Sequence, residues 1–228
     1  MSDRPAPVIA IDGPSGAGKG TVAVRLAEHL GWTLLDSGAV YRAAALHVLN
    51  SQADPQSESD LVAALADFAP RFLAEKSGVR VWLIGPDGEC EVTAQLRTER
   101  TADVASRVAS IPQVRAQLLD AQRAFRQPPG LIADGRDMGS VVFPDAALKV
   151  FLTASVEERA RRRAKQLKEK ENPTTLAALV KELELRDARD ANRVHSPLSQ
   201  VPEALRIDSS EMGIDAVVQR IIKVYEGG

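Results

Sequence analysis

The sequence predicts an α/β fold in which helices flank a five-stranded parallel sheet. Three observations support this: short apolar runs alternate with stretches of helical periodicity, turn residues bound each run, and the alternation is that of right-handed crossovers. The runs interpreted as strands cover residues 8–11, 33–35, 131–133, 148–152 and 204–207. The helical stretches cover residues 18–30, 38–49, 111–125, 156–170, 174–192 and 214–225.

A glycine-rich loop follows the first strand and leads into the first helix. It consists of Gly13, Pro14, Ser15, Gly16, Ala17, Gly18, Lys19, Gly20 and Thr21. Glycines let backbone N–H groups turn inward around a phosphate, and the helix adds its positive end. Lys19 is placed to reach β- and γ-phosphates. The generic motif ends Gly-Lys-Ser/Thr, whereas Gly20 follows Lys19 here, so direct magnesium ligation by Thr21 stays open. The loop predicts nucleotide binding but names no reaction.

Two later turns place polar residues at the carboxyl edge of the predicted sheet, where ligands of open α/β sheets bind. Ser37 and Arg42 follow the second strand, and Arg136 and Asp137 follow the third. A helix cap for Ser37 and a plain surface charge for Arg42 are the alternatives.

The stretch from 72 to 92 changes to period two. Val79, Val81 and Leu83 alternate with their neighbours, and residues 86–88 supply a turn. The pattern predicts a small antiparallel insert, and an edge hairpin without any ligand role is an equal alternative.

The predicted helix over 156–170 carries a cluster of arginines. Arg159 and Arg163 are one turn apart, with Arg162 beside them. Phosphoryl transfer passes through an anionic transition state, so a mobile flap carrying these arginines could close over a γ-phosphate. A solvated helix face is the alternative, because two glutamate–arginine pairs have i,i+4 spacing. These pairs are Glu157 with Arg161 and Glu158 with Arg162.

A second arginine-rich face ends the helix predicted over 174–192. At 100° per residue, Arg186, Asp190 and Arg193 fall on one side. Two arginines flanking an aspartate suit a phosphate together with a sugar hydroxyl, and an exposed ladder of ion pairs is the alternative. Asn172 and Pro173 are predicted to start this helix as cap and first-turn proline.

Composition and charge exclude several classes of protein. Of 228 residues, 44% are hydrophobic and 26% charged, which is typical of a globular domain rather than a disordered, collagenous or disulfide-stapled chain. The 29 basic and 31 acidic residues give a net charge of −2, so no global field favours nucleic acid or an anionic membrane. Cys90 is the single cysteine, no apolar run reaches about 18 residues, and no secretory pattern opens the chain. We therefore expect a soluble, cytoplasmic monomer.

Together the motifs resemble those of the bacterial cytidylate kinases, nucleoside monophosphate kinases that move the γ-phosphoryl group of ATP onto CMP or dCMP. The resemblance covers nearly the whole chain and rests on residues 11–21, 35–42 and 134–139 and on the Arg186, Asp190, Arg193 face. It implies one P-loop kinase domain over residues 1–228, with a monophosphate-binding insert at about 66–100 and a short helical lid at about 157–172. It also makes the Gly20–Thr21 ending of the loop a normal one.

The resemblance implies a role for each candidate residue. Residues 13–21 would bind ATP. Residues expected to act in the transfer are Lys19, Arg136, Arg159, Arg162 and Arg163. Residues expected to bind CMP are Ser37, Arg42, Arg136 and Arg193 at the phosphate, Arg186 and Asp190 at the sugar, and Ser106, Arg115 and Asp137 at the cytosine. A carboxylate can accept from the N4 amine of cytosine, and Arg115 or Ser106 can donate to O2 and N3. Mg²⁺ would be held mainly by ATP and water, with Thr21 in the outer shell at most.

Two other classes of function compete with this interpretation. A regulatory P-loop switch that binds guanine would need Asn-Lys-x-Asp and Asp-x-x-Gly motifs, and the sequence contains neither. A nucleic-acid binder would use the basic run 159–170, but the near-neutral net charge and an aromatic content of 4% disfavour it.

Overall fold

The structure is a computed structural model that describes residues 5–51, 53–54, 56–75, 78–85, 88–168, 175–192 and 196–227. Its strands are β1 (Val8–Asp12), β2 (Thr33–Asp36), β3 (Arg71–Glu75), β4 (Gly78–Gly85), β5 (Gly88–Glu91), β6 (Leu131–Gly135), β7 (Leu148–Thr153) and β8 (Leu205–Asp208). Its α-helices are α1 (Lys19–Leu30), α2 (Ser37–Asn50), α3 (Glu58–Ala64), α4 (Glu99–Val108), α5 (Pro112–Arg123), α6 (Val156–Lys168), α7 (Leu176–Ala191) and α8 (Ile214–Glu226).

The central sheet is parallel and has the strand order β2-β6-β1-β7-β8, which confirms the five predicted strands. Its register brings Asp12 opposite Gly135 and Asp36 opposite Asp134. The carboxyl ends of β1, β2 and β6 therefore meet at one edge, and the segments that follow them share one cleft.

The core lies on both faces of this sheet. Along β1, Val8 and Ala10 pack with residues of α2, α4 and α5, whereas Ile9 and Ile11 pack with residues of α1 and α8. A strand covered on both sides needs apolar residues at every position, which explains why the parallel strands read as continuous apolar runs.

The predicted antiparallel insert is a sheet of three strands, β3-β4-β5. Val81 and Leu83 are buried in a cluster with Ala43 and Leu46 of α2, as the period-two pattern predicted. On the outer face the guanidinium groups of Arg71 and Arg80 lie 3.9 and 4.9 Å from the centroid of the Trp82 ring. Of the predicted turn, residues 86 and 87 lie outside the described residues.

Helices α3 and α4 were not predicted. The α3 helix begins after Ser57, whose hydroxyl accepts from the Asp60 N–H, in a stretch that reads as a polar connection. Helix α7 begins after Thr175, which accepts from the Ala178 N–H. The predicted cap Asn172 and Pro173 lie outside the described residues, as does the predicted lid beyond Lys168. Among the described helices, none combines the length and the apolar character needed to cross a membrane.

Candidate active site

The glycine-rich loop joins the end of β1 to α1, and we call residues 13–21 the phosphate loop. Gly13, Gly16 and Gly18 have φ values of 149°, 80° and 93°. A Cβ on Gly13 would lie 1.9 Å from the Leu152 carbonyl oxygen, so only glycine lets the loop pass over the end of β7. Gly18 caps α1 without a side chain, which leaves the first N–H groups of the helix free of a side-chain acceptor. The arrangement fits a phosphate.

Lys19 is buried at the base of this loop, with 6% of its side chain exposed. Its Nζ donates to the Pro14 carbonyl at 3.1 Å and lies 3.8 Å from Asp134 Oδ1. Burial, and secondly the charge of Arg136, lowers the pKa of Lys19 to about 8, although Asp134 and Asp12 oppose the change. The positive charge of the Lys19 ammonium group is therefore only partly compensated by its surroundings.

Asp36, the last residue of β2, caps α2 and also binds an arginine. Asp36 Oδ1 accepts from the Ala39 N–H at 2.9 Å, and Oδ2 accepts from Arg42 Nη2 at 3.1 Å. The helix cap is thus Asp36, and the alternative that Ser37 caps α2 is wrong. Ser37 is buried instead, with Oγ 2.7 Å from where a Cβ on Gly135 would stand. Arg42 Nε is buried without a hydrogen-bond partner among the described residues.

Asp12 fixes the turn that carries Arg136 and Asp137. Its two carboxylate oxygens accept from the Met138 and Gly139 N–H groups, each at 2.8 Å. Burial raises the pKa of Asp12 to about 6 against these two hydrogen bonds. Because Asp12 directly precedes the phosphate loop, one carboxylate ties the start of that loop to the turn after β6.

Arg136 joins this turn to α7. Its Nε donates to Asp190 Oδ2 at 2.8 Å, and Asp190 is 1% exposed. Burial, and next the charge of Arg136, lowers the pKa of Arg186 to about 10, while Asp190 raises it. The predicted face of α7 therefore brings Arg186 and Asp190 to the cleft, and Arg193 lies outside the described residues.

Two of the three residues expected to bind the cytosine base are in contact with each other. Arg115 on α5 forms a hydrogen-bonded ion pair with Asp137, of which 3% is exposed. The Arg115 guanidinium also donates to the Ala109 carbonyl at 3.2 Å and lies 5.7 Å from the centroid of the Tyr41 ring. Ser106 lies half-buried on α4, one turn before Ala109.

Helix α6 lays two of its arginines against the phosphate loop. Arg159 Nη1 donates to the Ser15 carbonyl at 3.1 Å, and Arg162 Nη1 donates to the Ala17 carbonyl at 3.3 Å. Arg163 is half-buried on the same helix.

The surface pairs of α6 differ in part from the prediction. Glu158 pairs with Arg162, as the spacing predicted, at 3.1 Å. Arg161 pairs with the same Glu158 at 3.0 Å, so the expected Glu157–Arg161 pair is wrong, because an i,i+3 neighbour on the helix reaches the guanidinium.

Donor atoms suited to magnesium line a cleft of about 560 Å³ between α1, α2 and the insert. Thr21, Asp36 and Asp134 are among the lining residues. The described residues contain no group of three or more His, Cys, Asp or Glu side chains able to hold a metal ion. Two carboxylates and a hydroxyl fit an ion that keeps most of its ligands as water and phosphate oxygens, as magnesium does.

Two residues at the site escaped the sequence analysis. Both carboxylate oxygens of Asp187 accept from Arg159. Ser209 Oγ accepts from Arg162 Nη1 and donates to the Ala17 carbonyl. Ser209 directly follows β8, so its place at the carboxyl edge of the sheet was a usable signal. For Asp187 the signal was weaker, because an aspartate beside an arginine on a helix is usually a surface charge.

Comparison with known proteins gives a consistent result. A family model described as cytidylate kinase matches residues 9–227. The chain is 54% identical over 216 residues to the cytidylate kinase of Pseudomonas entomophila (strain L48), and 52% identical over 219 residues to that of Pseudomonas fluorescens (strain Pf-5), with 95% of the chain and 94% of each relative covered. The crystal structure of an uncharacterized protein from Eubacterium ventriosum shares the fold, with a TM-score of 0.52 at 12% identity over 97% of this chain and 99% of that one.

Proposed function

Because the chain belongs to the cytidylate kinase family, we propose that it transfers the γ-phosphoryl group of ATP to CMP or dCMP, giving ADP and CDP or dCDP. One observation carries the proposal. Asp12 accepts from the Met138 and Gly139 N–H groups at 2.8 Å, which holds the turn that carries Arg136 beside the phosphate loop that carries Lys19. Cations from two different parts of the chain thus converge, as two polyanions meeting end to end require.

On the donor side, the phosphate loop binds the ATP phosphates with its backbone N–H groups and the N-terminus of α1. Lys19 gives up its contacts with Pro14 and Asp134 for the β- and γ-phosphates. The pair with Asp134 is long, at 3.8 Å, and phosphate oxygens would replace the Pro14 carbonyl as acceptors of the Lys19 ammonium group.

The acceptor side, as we call it, comprises Ser37, Arg42, Ser106, Arg115, Arg136, Asp137, Arg186, Asp190 and Arg193. Arg42, with its unpartnered Nε, and Arg136 hold the CMP phosphate together with Ser37 and Arg193. Arg186 and Asp190 bind the sugar. Arg115 pairs with Asp137 Oδ2, which leaves Oδ1 to accept from the cytosine N4 amine.

Transfer needs alignment and charge stabilisation rather than a general base, because the attacking phosphate oxygen of CMP is already anionic. Lys19 and Arg136 flank the transferring group. Arg162 and Arg163 add positive charge from α6, and Arg159 adds it from behind Ser15. Mg²⁺ bound with ATP would neutralise β- and γ-oxygens, and Thr21, Asp36 and Asp134 are the residues that would hold its water ligands.

We also propose which segments of the chain form the monophosphate-binding insert and the lid. The β3-β5 sheet lies within the monophosphate-binding insert at about 66–100, and α6 lies within the lid at about 157–172. We further propose that the protein is a monomer acting on nucleotides of the cytoplasm.

An ADP-release assay tests the function. With ATP and Mg²⁺, CMP and dCMP are each expected to give rates well above UMP, AMP and GMP, and the reaction without an acceptor sets the baseline. Steady hydrolysis of ATP that does not increase on adding CMP would contradict a kinase and favour a nucleotide-dependent switch.

A further inference from the structure

One guanidinium group bridges the phosphate loop and helix α7. Arg159 Nη1 donates to the Ser15 carbonyl at 3.1 Å and to Asp187 Oδ1 at 3.1 Å, and Nη2 donates to Asp187 Oδ2 at 2.6 Å. Its Nε donates to the Ala154 carbonyl at 3.0 Å. Of the five N–H groups of this arginine, four are therefore used within the protein.

One end of this bridge lies in the phosphate loop, and the other lies beside residues proposed for the acceptor side. Ser15 is in the middle of the phosphate loop, where a Cβ on the adjacent Gly16 would come within 3.1 Å of Arg159 Cβ. Asp187 directly follows Arg186 and lies one turn before Asp190, both on the acceptor side. A shift of α7 relative to the loop must therefore strain or break the two-oxygen ion pair.

That ion pair is sensitive to geometry, because Arg159 is 5% exposed and its charge is costly to leave unpaired. The packing between α6 and α7 has independent support from a buried cluster of Ala160, Leu167, Leu179 and Leu183. Loss of the ion pair is thus expected to loosen the link between the sites without separating the helices.

From this geometry we propose that Asp187 is a positioning residue that works through Arg159 to couple the sites, so that a nucleotide bound in one favours binding in the other. The inference rests on the proposed function for the identity of the two ligands. Arg162 offers a natural contrast: it also anchors the loop, through Ala17, but its remaining partners are Ser209 and the neighbouring Glu158, which lie away from the acceptor side.

The test measures coupling by calorimetry. The dissociation constant of a nonhydrolysable ATP analogue is determined with and without CMP, and that of CMP with and without the analogue, on the full chain. For the wild type we expect each ligand to tighten the other by the same factor, about fivefold or more. For Asp187→Asn the factor is expected to fall towards one, while each nucleotide alone binds within about threefold of its wild-type affinity.

Two matched variants separate coupling from general damage. Ser209→Ala removes a loop anchor on the donor side, so we expect weaker binding of the analogue with an unchanged coupling factor. Glu184→Gln, on the exposed face of α7, is expected to match the wild type.

Asp187→Glu keeps the charge and should retain more coupling than Asp187→Asn. If Asp187→Asn does not fold, Asp187→Glu carries the test, with reduced coupling expected.

A wild-type coupling factor near one, or a variant at Asp187 that folds and keeps the full factor, would overturn the inference. Failure of the proposed function looks different, because CMP would then neither bind the wild type nor accept phosphate from ATP.

Discussion

The proposed ATP site takes its binding groups from the contiguous phosphate loop, residues 13–21, whereas the proposed acceptor side collects side chains from α2, α4, α5, α7 and the turn after β6. The loop relies on backbone N–H groups held by glycine conformations and on one lysine. The acceptor side relies on arginines oriented by carboxylates, such as Arg42 by Asp36 and Arg136 by Asp190. A backbone site is set by local sequence, while a side-chain site depends on the alignment of several elements.

The largest expected effect is on the donor side. Lys19→Met should lower kcat by about 10²–10³-fold, because a preorganised cation beside the transferring phosphoryl group is lost. Its melting temperature should change far less than kcat does, since the methionine no longer buries a charge but leaves Asp134 without its cationic partner. Steady-state kinetics and thermal unfolding are the measurements. Full turnover by this variant would refute the role of Lys19 and the contrast between the two sides.

On the acceptor side, Asp137→Asn should raise the KM for CMP by about tenfold and narrow the preference for CMP over UMP, because an amide accepts less well from the N4 amine. Parallel kinetics with CMP and UMP measure the change. The matched control is Asp103→Asn, which removes a half-exposed pair with Arg107 on α4 and should leave the ratio alone. An unchanged ratio in the Asp137 variant would reject its assignment to the base.

The pH dependence should separate the two sides further. Burial, then the charge of Arg136, lowers the pKa of Lys19 to about 8 from an ordinary 10.5. In the free protein the ammonium therefore loses its proton as pH rises through about 8, and kcat/KM for ATP should fall by up to tenfold per pH unit above that. With ATP saturating, kcat/KM for CMP should stay level over the same range, because the acceptor cations are arginines and the pKa of Arg186 is about 10.

Measurements of kcat/KM for ATP and for CMP from pH 7 to 9.5 test this prediction. In Lys19→Arg, kcat/KM for ATP should no longer fall above pH 8, because the guanidinium group stays charged. An equal fall of kcat/KM for ATP and for CMP would show that a group other than Lys19 loses its proton.

Prediction from the sequence succeeded where local pattern and structure coincide. The five strands and the six predicted helices form, because periodicity reports burial directly. Helix α4 was missed, although it carries Ser106 and is amphipathic, since its ten residues include few apolar side chains. The insert was recognised as antiparallel, but a pattern of alternating residues does not reveal that three strands pair.

The candidate site divides in the same way. The phosphate loop was predicted as a unit, and Arg136, Asp137, Arg186 and Asp190 were predicted as candidates from the strand end and helix face on which they lie. The side chains that orient Arg159 and Arg162 were not predicted. Asp187 and Ser209 are 28 and 47 residues away from the arginines they bind, and no spacing rule connects positions that far apart.

By itself the sequence determined the alternation of strands and helices and the conformation of the phosphate loop, because glycine freedom and burial periodicity act between near neighbours. Only the tertiary structure decided which partner each carboxylate binds: Asp12 binds backbone N–H groups of the turn after β6, Asp190 binds Arg136, and Asp187 binds Arg159. The reason is electrostatic. A buried ion pair forms between whichever opposite charges the packed elements bring within about 3 Å, and that distance is a property of the assembled fold.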